Sequence, residues 1–163
     1  MSGPDEATAG PRGQSSHNLE TEMKKGITFG AFDLFHAGHV LMLQEAKTVC
    51  DHLIVCIQTD PSIDRPTKNK PVQSIVERQI QVAACKYVDE IIVYDTEADV
   101  LEILRSVEWD VRLIGDEYRD KDFTGRDETL DKCYFNTRPH TFSSSELRLR
   151  VAKWTQSGDE ADG

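Results

Sequence analysis

Short apolar runs alternate with helix-type segments through the middle of this chain, and few folds accommodate such a pattern. Strands are expected at residues 26–30, 52–58, 89–94, 110–115 and 133–136. The run HLIVCIQ at 52–58 is typical of a strand buried on both faces. Strand–helix alternation predicts a mainly parallel, five-stranded sheet with right-handed crossovers and helices on both faces. The expected fold class is therefore α/β, a single Rossmann-like three-layer α/β/α domain with a ligand crevice at the carboxyl ends of the strands.

Helices are expected at about residues 37–50, 75–84 and 97–106, and from Ser144 or Ser145 to about 154. Ser74 precedes the second of these and Glu77 follows three residues later. This is the capping-box pattern, in which two side chains satisfy free N–H groups at a helix start. Residues 59–71 form a polar segment with proline and lysine that is longer than a simple connector. We therefore expect a functional loop there, beside the crevice.

Composition bounds the domain and its partners. Residues 1–22 and 157–163 cannot bury enough apolar surface to order themselves, so we expect disordered tails around one domain at 23–156. Of the formal net charge of −10, the tails carry −3 each and the domain −4, which argues against a nucleic-acid-binding surface. No apolar run approaches the ~18 residues of a membrane span. The four cysteines form no C-x-x-C pair and indicate buried free thiols in a reducing, cytoplasmic setting.

The segment GAFDLFHAGH at residues 30–39 joins the first strand to the first helix. Backbone N–H groups at a helix start are unpaired, and the helix dipole favours an anion there. His36 and His39 lie on one face of the first turn, and Gly38 between them leaves the backbone open to close approach. These features predict a phosphate site suited to a nucleoside triphosphate. Asp33 in the turn is either a turn-forming or capping side chain or a ligand of magnesium.

Polar side chains near the strand ends are further candidates. Lys68 and Lys70 lie on the 59–71 loop, where they are either a solvated pair or mobile groups that close over a triphosphate. Arg78 lies inside a helix, where it either makes a surface ion pair or faces a phosphate. Asp116, after the fourth strand, either orients a base, ribose or substrate hydroxyl or belongs to a strand-ending turn. Arg138 precedes a run of three serines at a helix start, whose hydroxyl and N–H groups can donate to phosphate oxygens.

Together these segments resemble the cytidylyltransferase-like nucleotidyltransferases, most closely the glycerol-3-phosphate cytidylyltransferase group. The resemblance covers about residues 24–151 and rests on GAFDLFHAGH, the K-x-K loop at 68–70, ER at 77–78, YVDEI at 87–91, GDE at 115–117, and Arg138 through the serine run. Ala31 stands where that family usually has threonine, and PHT at 139–141 replaces its threonine, glutamate and glycine. The nucleotide half of the pattern is therefore better matched than the acceptor half.

The resemblance implies an enzyme that moves a CMP group from CTP to a small phosphorylated alcohol, glycerol 3-phosphate or similar, and releases pyrophosphate. Mg²⁺ would be bound mainly through the nucleotide. A homodimer stays open, because dimers are common in that group. Two other functions also stay open: an adenylyltransferase of the same fold that uses ATP, and a non-catalytic nucleotide-binding module.

The resemblance also implies roles for individual residues. The expected catalytic residues are His36, His39, Lys68 and Arg138. Lys68 would contact the acceptor phosphate, and Arg78 is a second candidate for that contact. The expected nucleotide contacts lie at the first helix start, on the lysine loop, after the fourth strand and around the serine run: Ala31, Phe32, His36, Ala37, Gly38, His39, Lys70, Asp116, Arg138, Thr141, Phe142, Ser143, Ser144 and Ser145.

Overall fold

A five-stranded sheet lies at the centre of the protein, with its strands in the order β3-β2-β1-β4-β5. The computed structural model describes residues 22–159. All four strand pairings are parallel, as predicted. The chain therefore leaves β3 at one edge and returns to the other side of β1. The strands are β1 Lys25–Gly30, β2 His52–Gln58, β3 Glu90–Tyr94, β4 Val111–Gly115 and β5 Cys133–Asn136.

This reversal of strand order between β1 and β4 is a topological switch point. Ligands of open parallel sheets bind outside the carboxyl ends of the strands at such a point, because the connections leaving the two strands diverge to opposite faces. The turn that leaves β1 carries the GAFDLFHAGH motif. The fold therefore places the motif beside this crevice.

Six helices connect the strands or follow them among residues 22–159. They are α1 Ala37–Ala46, α2 Pro61–Asp64, α3 Ile75–Ala83, α4 Glu97–Ser106, α5 Arg126–Thr129 and α6 Ser144–Asp159. The predicted capping box of α3 is confirmed, because Ser74 and Glu77 each accept from the other's backbone N–H. The expected bounds of α4 are also confirmed.

Three details of the helices differ from the prediction. Helix α1 ends at Ala46 rather than near Cys50, because the chain must turn back for Asp51 and His52 to donate to the Lys24 carbonyl. The loop after β2 contains the short helix α2, which begins at an Asp60 cap with proline in its first turn. Helix α6 continues to Asp159 and so includes the first three residues of the segment for which we expected disorder. The rest of the two expected tails, residues 1–21 and 160–163, lies outside the described residues.

Two apolar clusters cover the two faces of the sheet, as the three-layer prediction requires. One contains Leu43 of α1, Leu53, Val55 and Ile57 of β2, and Val82 of α3. Burial of these side chains stabilises the packing of α1 against this face of the sheet. On the opposite face, strand and α4 side chains pack together: Ile27, Ile54, Cys56, Tyr94, Val100 and Leu104.

The states of the cysteines and the lengths of the helices relate to two predictions, free thiols and the absence of a membrane span. All four cysteines are free, with Cys50 and Cys56 buried and Cys85 and Cys133 partly exposed. Within residues 22–159, no helix is long and apolar enough to cross a membrane.

Candidate active site

The turn between β1 and α1 has an unusual backbone. Phe32 and Leu34 both have a φ of 51°, in the left-handed region that side chains other than glycine seldom adopt. Such conformations cost about 1–3 kcal/mol each and persist only where the surroundings hold them. The Phe32 ring is buried in the core cluster, and the Leu34 N–H donates to Gln73 Oε1 at 2.8 Å. Packing and hydrogen bonds therefore hold the motif in a strained turn.

Asp33 anchors this turn. Its carboxylate accepts from the N–H groups of Val72 and Gln73, both at 2.9 Å, and from Arg148 Nη2 at 2.8 Å. Burial by itself would raise the pKa of Asp33, but the Gln73 and Val72 N–H groups and Arg148 outweigh it, so the pKa lies below its ordinary value. Both oxygens are thus engaged in protein contacts. Asp33 thereby joins the motif to the segment before α3 and to α6, which is the structural role of the two that the sequence left open.

His36 and His39 form a close, hydrogen-bonded pair at the start of α1, with their rings tilted by 33° to each other. His36 is the N-cap, and its Nδ1 accepts from the Gly38 N–H at 3.0 Å. Nδ1 of His39 accepts from the His36 N–H at 3.1 Å. The ring centroids are 3.9 Å apart. An imidazole that accepts at Nδ1 carries its proton on Nε2, so both rings are held as Nε2–H donors.

Both rings are neutral near pH 7. Burial lowers the pKa of His39 to about 3, and repulsion from His36 in its protonated form adds to the effect. Burial also lowers the pKa of His36, and the neighbouring His140 and Arg138 add to the effect. The pair therefore offers two fixed N–H donors rather than two positive charges. Fixed donors of this kind stabilise negative charge that develops on oxygen during a reaction.

The start of α6 meets this pair across the crevice. His36 Nε2 lies 3.2 Å from Ser144 Oγ, and that hydroxyl donates to the Asp33 carbonyl at 3.3 Å. Arg138, in the segment before α6, has a φ of 42°, a third left-handed residue. Its guanidinium is half exposed and lies 3.9 Å from Glu117 Oε1. Two helix N-termini and one half-exposed cation thus converge on the histidine pair.

A cavity of about 650 Å³ opens between α1 and the segment that leads from β5 into α6. This volume is in the usual range of a small-molecule or cofactor site. The structure brings seven of the predicted residues into its lining: His36, Gly38, His39, Arg138, Phe142, Ser143 and Ser144. These are the members of the HAGH and serine segments whose convergence the sequence predicted.

The other predicted residues lie elsewhere. Ala37 and Thr141 line a smaller neighbouring cavity of about 320 Å³, which shares His36 with the first. Lys68 and Lys70 are exposed on their loop and line neither cavity. Asp116 is also exposed, and its carboxylate accepts from Arg119 at 2.9 Å. Ala31, Phe32 and Ser145 are likewise absent from the two linings.

Arg78 does not occupy the place that the sequence predicted. Its side chain is 1% exposed, so it neither forms a surface ion pair nor faces the crevice. The guanidinium donates to four backbone carbonyls, those of Gln73, Ala31, Gln58 and Thr59. These carbonyls lie where the chain leaves β1 and β2 and enters α3. Arg78 therefore holds these three segments together beneath the site.

Two polar residues, Glu45 and Asn136, are among the cavity-lining residues that sequence reasoning missed. Glu45 of α1 accepts from Tyr134 Oη at 3.1 Å and from the Thr137 N–H at 3.0 Å, which joins α1 to β5. Asn136 is the last residue of β5, buried and part of the cavity lining. The sequence contained a signal for Asn136, because a polar residue at the carboxyl end of a parallel strand faces the crevice region. Glu45 carried no such signal, because a charged residue on a helix is usually a solvent-exposed one.

Comparison with known proteins agrees with this geometry. The Cytidylyltransferase-like family model matches residues 27–150. The chain belongs to this family. Bifunctional protein HldE of Caulobacter sp. (strain K31) is 39% identical over 111 residues, which are 66% of this chain and 22% of that protein. Ethanolamine-phosphate cytidylyltransferase of Arabidopsis thaliana is 45% identical over 65 residues, which are 39% of this chain and 15% of that protein. This cytidylyltransferase-like chain thus matches less than a quarter of the length of either relative.

A solved structure supports the fold. The lipopolysaccharide core biosynthesis protein from Thermoplasma volcanium GSS1 superposes with a TM-score of 0.52 at 22% identity, covering 82% of this chain and 89% of that one. At this identity the likeness concerns the fold alone. The family match and the shared fold agree with the parallel sheet of this chain.

Proposed function

We propose that the protein transfers a cytidylyl group from CTP to a small phosphorylated alcohol and releases pyrophosphate. The observation that carries the proposal is the pair of neutral imidazoles held as Nε2–H donors at the start of α1, facing the start of α6. Membership of the cytidylyltransferase-like family supports the reaction class. The similarity to an ethanolamine-phosphate cytidylyltransferase supports both CTP as donor and a phosphorylated alcohol as acceptor.

The chemistry is an in-line displacement at phosphorus. An oxygen of the acceptor phosphate attacks the α-phosphorus and forms a new P–O bond. The bond from the α-phosphorus to the bridging oxygen breaks, and pyrophosphate leaves with the electron pair. No covalent enzyme intermediate is needed, so the protein contributes positioning and charge stabilisation. The Nε2–H groups of His36 and His39 would donate to the oxygens on which negative charge develops.

Cations complete the proposed site. Arg138 and the first turns of α1 and α6 would hold the triphosphate, and Lys68 and Lys70 would reach the substrates when their loop closes. Among residues 22–159, no group of three or more His, Cys, Asp or Glu side chains is placed to hold a metal ion. We propose that magnesium enters as a ligand of the triphosphate, since the described residues present no side-chain cage for it.

The acceptor is proposed only as a class. Glycerol 3-phosphate is the expectation from the group that the sequence resembles, and ethanolamine phosphate is the expectation from the relative above. The first turns of α4 carry ADVL at residues 98–101, without the basic residue that the glycerol-phosphate group has in this helix. This difference favours testing several acceptors of similar size.

Pyrophosphate release tests the proposal. The protein is incubated with CTP or ATP and Mg²⁺, in separate reactions with glycerol 3-phosphate, ethanolamine phosphate, a sugar phosphate and phosphopantetheine. We expect release with CTP and one small acceptor, and none from a His36→Ala/His39→Ala double variant. Pyrophosphate release with ATP but not with CTP would show that the protein transfers an adenylyl rather than a cytidylyl group. Tight binding of CTP without release across the panel would favour a binding module.

A further inference from the structure

We propose that Asn136 recognises the nucleotide base, through hydrogen bonds from its side-chain amide to the base edge that carries an exocyclic amino group. The inference rests on the proposed function, because it assigns one contact within the same cavity. It goes beyond that function, since neither the motifs nor the family match point to Asn136.

The amide of Asn136 is buried and unsatisfied. The residue is 4% exposed, and neither Oδ1 nor Nδ2 has a hydrogen-bond partner anywhere in residues 22–159. A buried polar group without a partner costs about 1–3 kcal/mol, so few native side chains leave two such groups unmet. The cavity that Asn136 lines offers the place where a bound ligand can supply both partners.

Gln58 shows how the same fold treats an amide with a structural role. It occupies the equivalent last position of β2 and is 1% exposed. Its Nε2 donates to the Asp95 carbonyl at 3.1 Å, and its Oε1 accepts from Arg65 Nη2 at 3.1 Å. Both of its polar atoms are therefore satisfied by the protein. In the described part of the chain, Asn136 is the side chain with two unsatisfied buried atoms, whereas Arg65, Gln81 and Arg112 have one each.

The strand geometry directs Asn136 toward the cavity. Alternate residues of a strand point to the same face, so Asn136 shares its face with Tyr134. The Tyr134 hydroxyl reaches Glu45 of α1, which identifies that face as the one covered by α1. On the neighbouring strand the residue paired with Asn136 is Gly115, and the space that a Gly115 side chain would enter holds the carboxylate of Glu117. Both Gly115 and Asn136 line the cavity.

Asn136, at the end of β5, lies beside the later part of α1, and this level favours a contact with the base rather than with the phosphates. The next residue, Thr137, donates its N–H to Glu45, which lies nine positions after His36. At 1.5 Å per residue this is roughly 13 Å along the helix axis. A nucleotide that runs along α1 from phosphates at His36 and His39 would have its nucleoside end at the level of Asn136.

The chemistry of the amide points the same way. A phosphate offers only acceptors, so it cannot satisfy Oδ1. The edge of cytosine carries a donor, the 4-amino group, next to an acceptor, N3, and an amide matches such a pair with its oxygen and its N–H. Adenine presents the same pair through its 6-amino group and N1. The proposed contact could therefore form with either CTP or ATP.

A cycle that combines a protein variant with a ligand analogue tests the contact. The variant is Asn136→Leu, which removes the amide and keeps the branching at Cγ, with two methyl groups in place of the amide oxygen and nitrogen. The analogue of CTP is the triphosphate of pyrimidin-2-one riboside, which lacks the 4-amino group. We expect loss of this group to weaken binding about tenfold in the parent protein and not at all in the variant. Affinity for inorganic pyrophosphate should be unchanged, and Gln156→Leu on α6 serves as a surface control.

Each outcome is informative. An unchanged or higher melting temperature of Asn136→Leu is expected, because the amide makes no hydrogen bond with the described residues. A variant that still discriminates against the analogue overturns the base contact, as does a parent protein that ignores the amino group. Discrimination against 2′-deoxy-CTP that disappears in the variant would instead assign Asn136 to the ribose. If ATP is the donor, the matching analogue is purine riboside triphosphate. If the parent protein binds neither CTP nor ATP, the proposed function itself fails.

Discussion

Ser144 Oγ lies 3.2 Å from His36 Nε2, so the first turn of α6 is hydrogen-bonded to the first turn of α1 across the site. The other ring nitrogen of His36 is already fixed by the Gly38 N–H. Both ends of the imidazole are thus oriented, one by its own helix and one by a helix more than a hundred residues later in the chain. The last helix is therefore part of the proposed catalytic apparatus.

Ser144→Ala should lower kcat about tenfold, or ~1.4 kcal/mol in activation free energy, because His36 loses one of its two orienting partners. Ser106→Ala is the control, since that hydroxyl lies on α4 and donates to the Glu102 carbonyl. Steady-state kinetics with CTP compares the two variants. If the Ser144→Ala and Ser106→Ala variants have equal kcat, Ser144 does not orient His36 for the reaction.

His36→Ala and His39→Ala should each lower kcat by about 10²–10³, the usual effect of removing one preorganised donor. His52→Ala is the matched control, because that histidine lies at the start of β2 and contacts Glu90. The affinity for CTP should change much less than kcat, which fluorescence or calorimetric titration can measure. A histidine whose alanine variant keeps near-normal turnover has no place in the mechanism.

Asp33→Asn should reduce the free energy of unfolding by about 2–3 kcal/mol, since the charged acceptor of three hydrogen bonds is lost. The magnesium concentration for half-maximal activity should not change, because both carboxylate oxygens contact protein groups. Urea unfolding and a magnesium titration measure the two effects, with the exposed Asp131→Asn as control. A large shift in the magnesium requirement would restore Asp33 as a metal ligand.

Arg78→Lys should destabilise the fold by about 3 kcal/mol, because an ammonium group cannot reach the four carbonyls that the guanidinium joins. In the fraction that remains folded, KM for the acceptor should rise no more than KM for CTP. Thermal unfolding and steady-state kinetics test this together. A selective rise in acceptor KM at unchanged stability would assign Arg78 to the acceptor after all.

Acid should destabilise the protein through His39. Its pKa is about 3 in the folded state against 6.5 ordinarily, so between these values the unfolded chain binds a proton that the folded protein does not. The free energy of unfolding should therefore fall by up to ~1.4 kcal/mol for each unit that pH drops below 6.5, and this contribution is constant above it. Urea unfolding at several pH values should give a shallower slope for His39→Gln. An identical slope would remove His39 as the cause.

Local patterns predicted most of the elements. The strands were predicted because short apolar runs bounded by turn residues are typical of buried strands. Helix α3 was found from Ser74 and Glu77, whose capping contacts span three residues. The end of α1 was missed, because nothing local stops the helix at Ala46. The chain turns there so that Asp51 and His52 can meet Lys24.

The sequence by itself determined the alternation of strands and helices, the HAGH turn and the serine run, since each depends on neighbours within a few residues. The tertiary structure decided which of these groups meet. Arg148 reaches Asp33 across 115 positions, and Ser144 reaches His36 across 108. It also buried Arg78 beneath the site and left the Asn136 amide without a protein partner in the described chain. Burial and hydrogen-bond satisfaction depend on what packs around a side chain, and that is fixed only when distant segments come together.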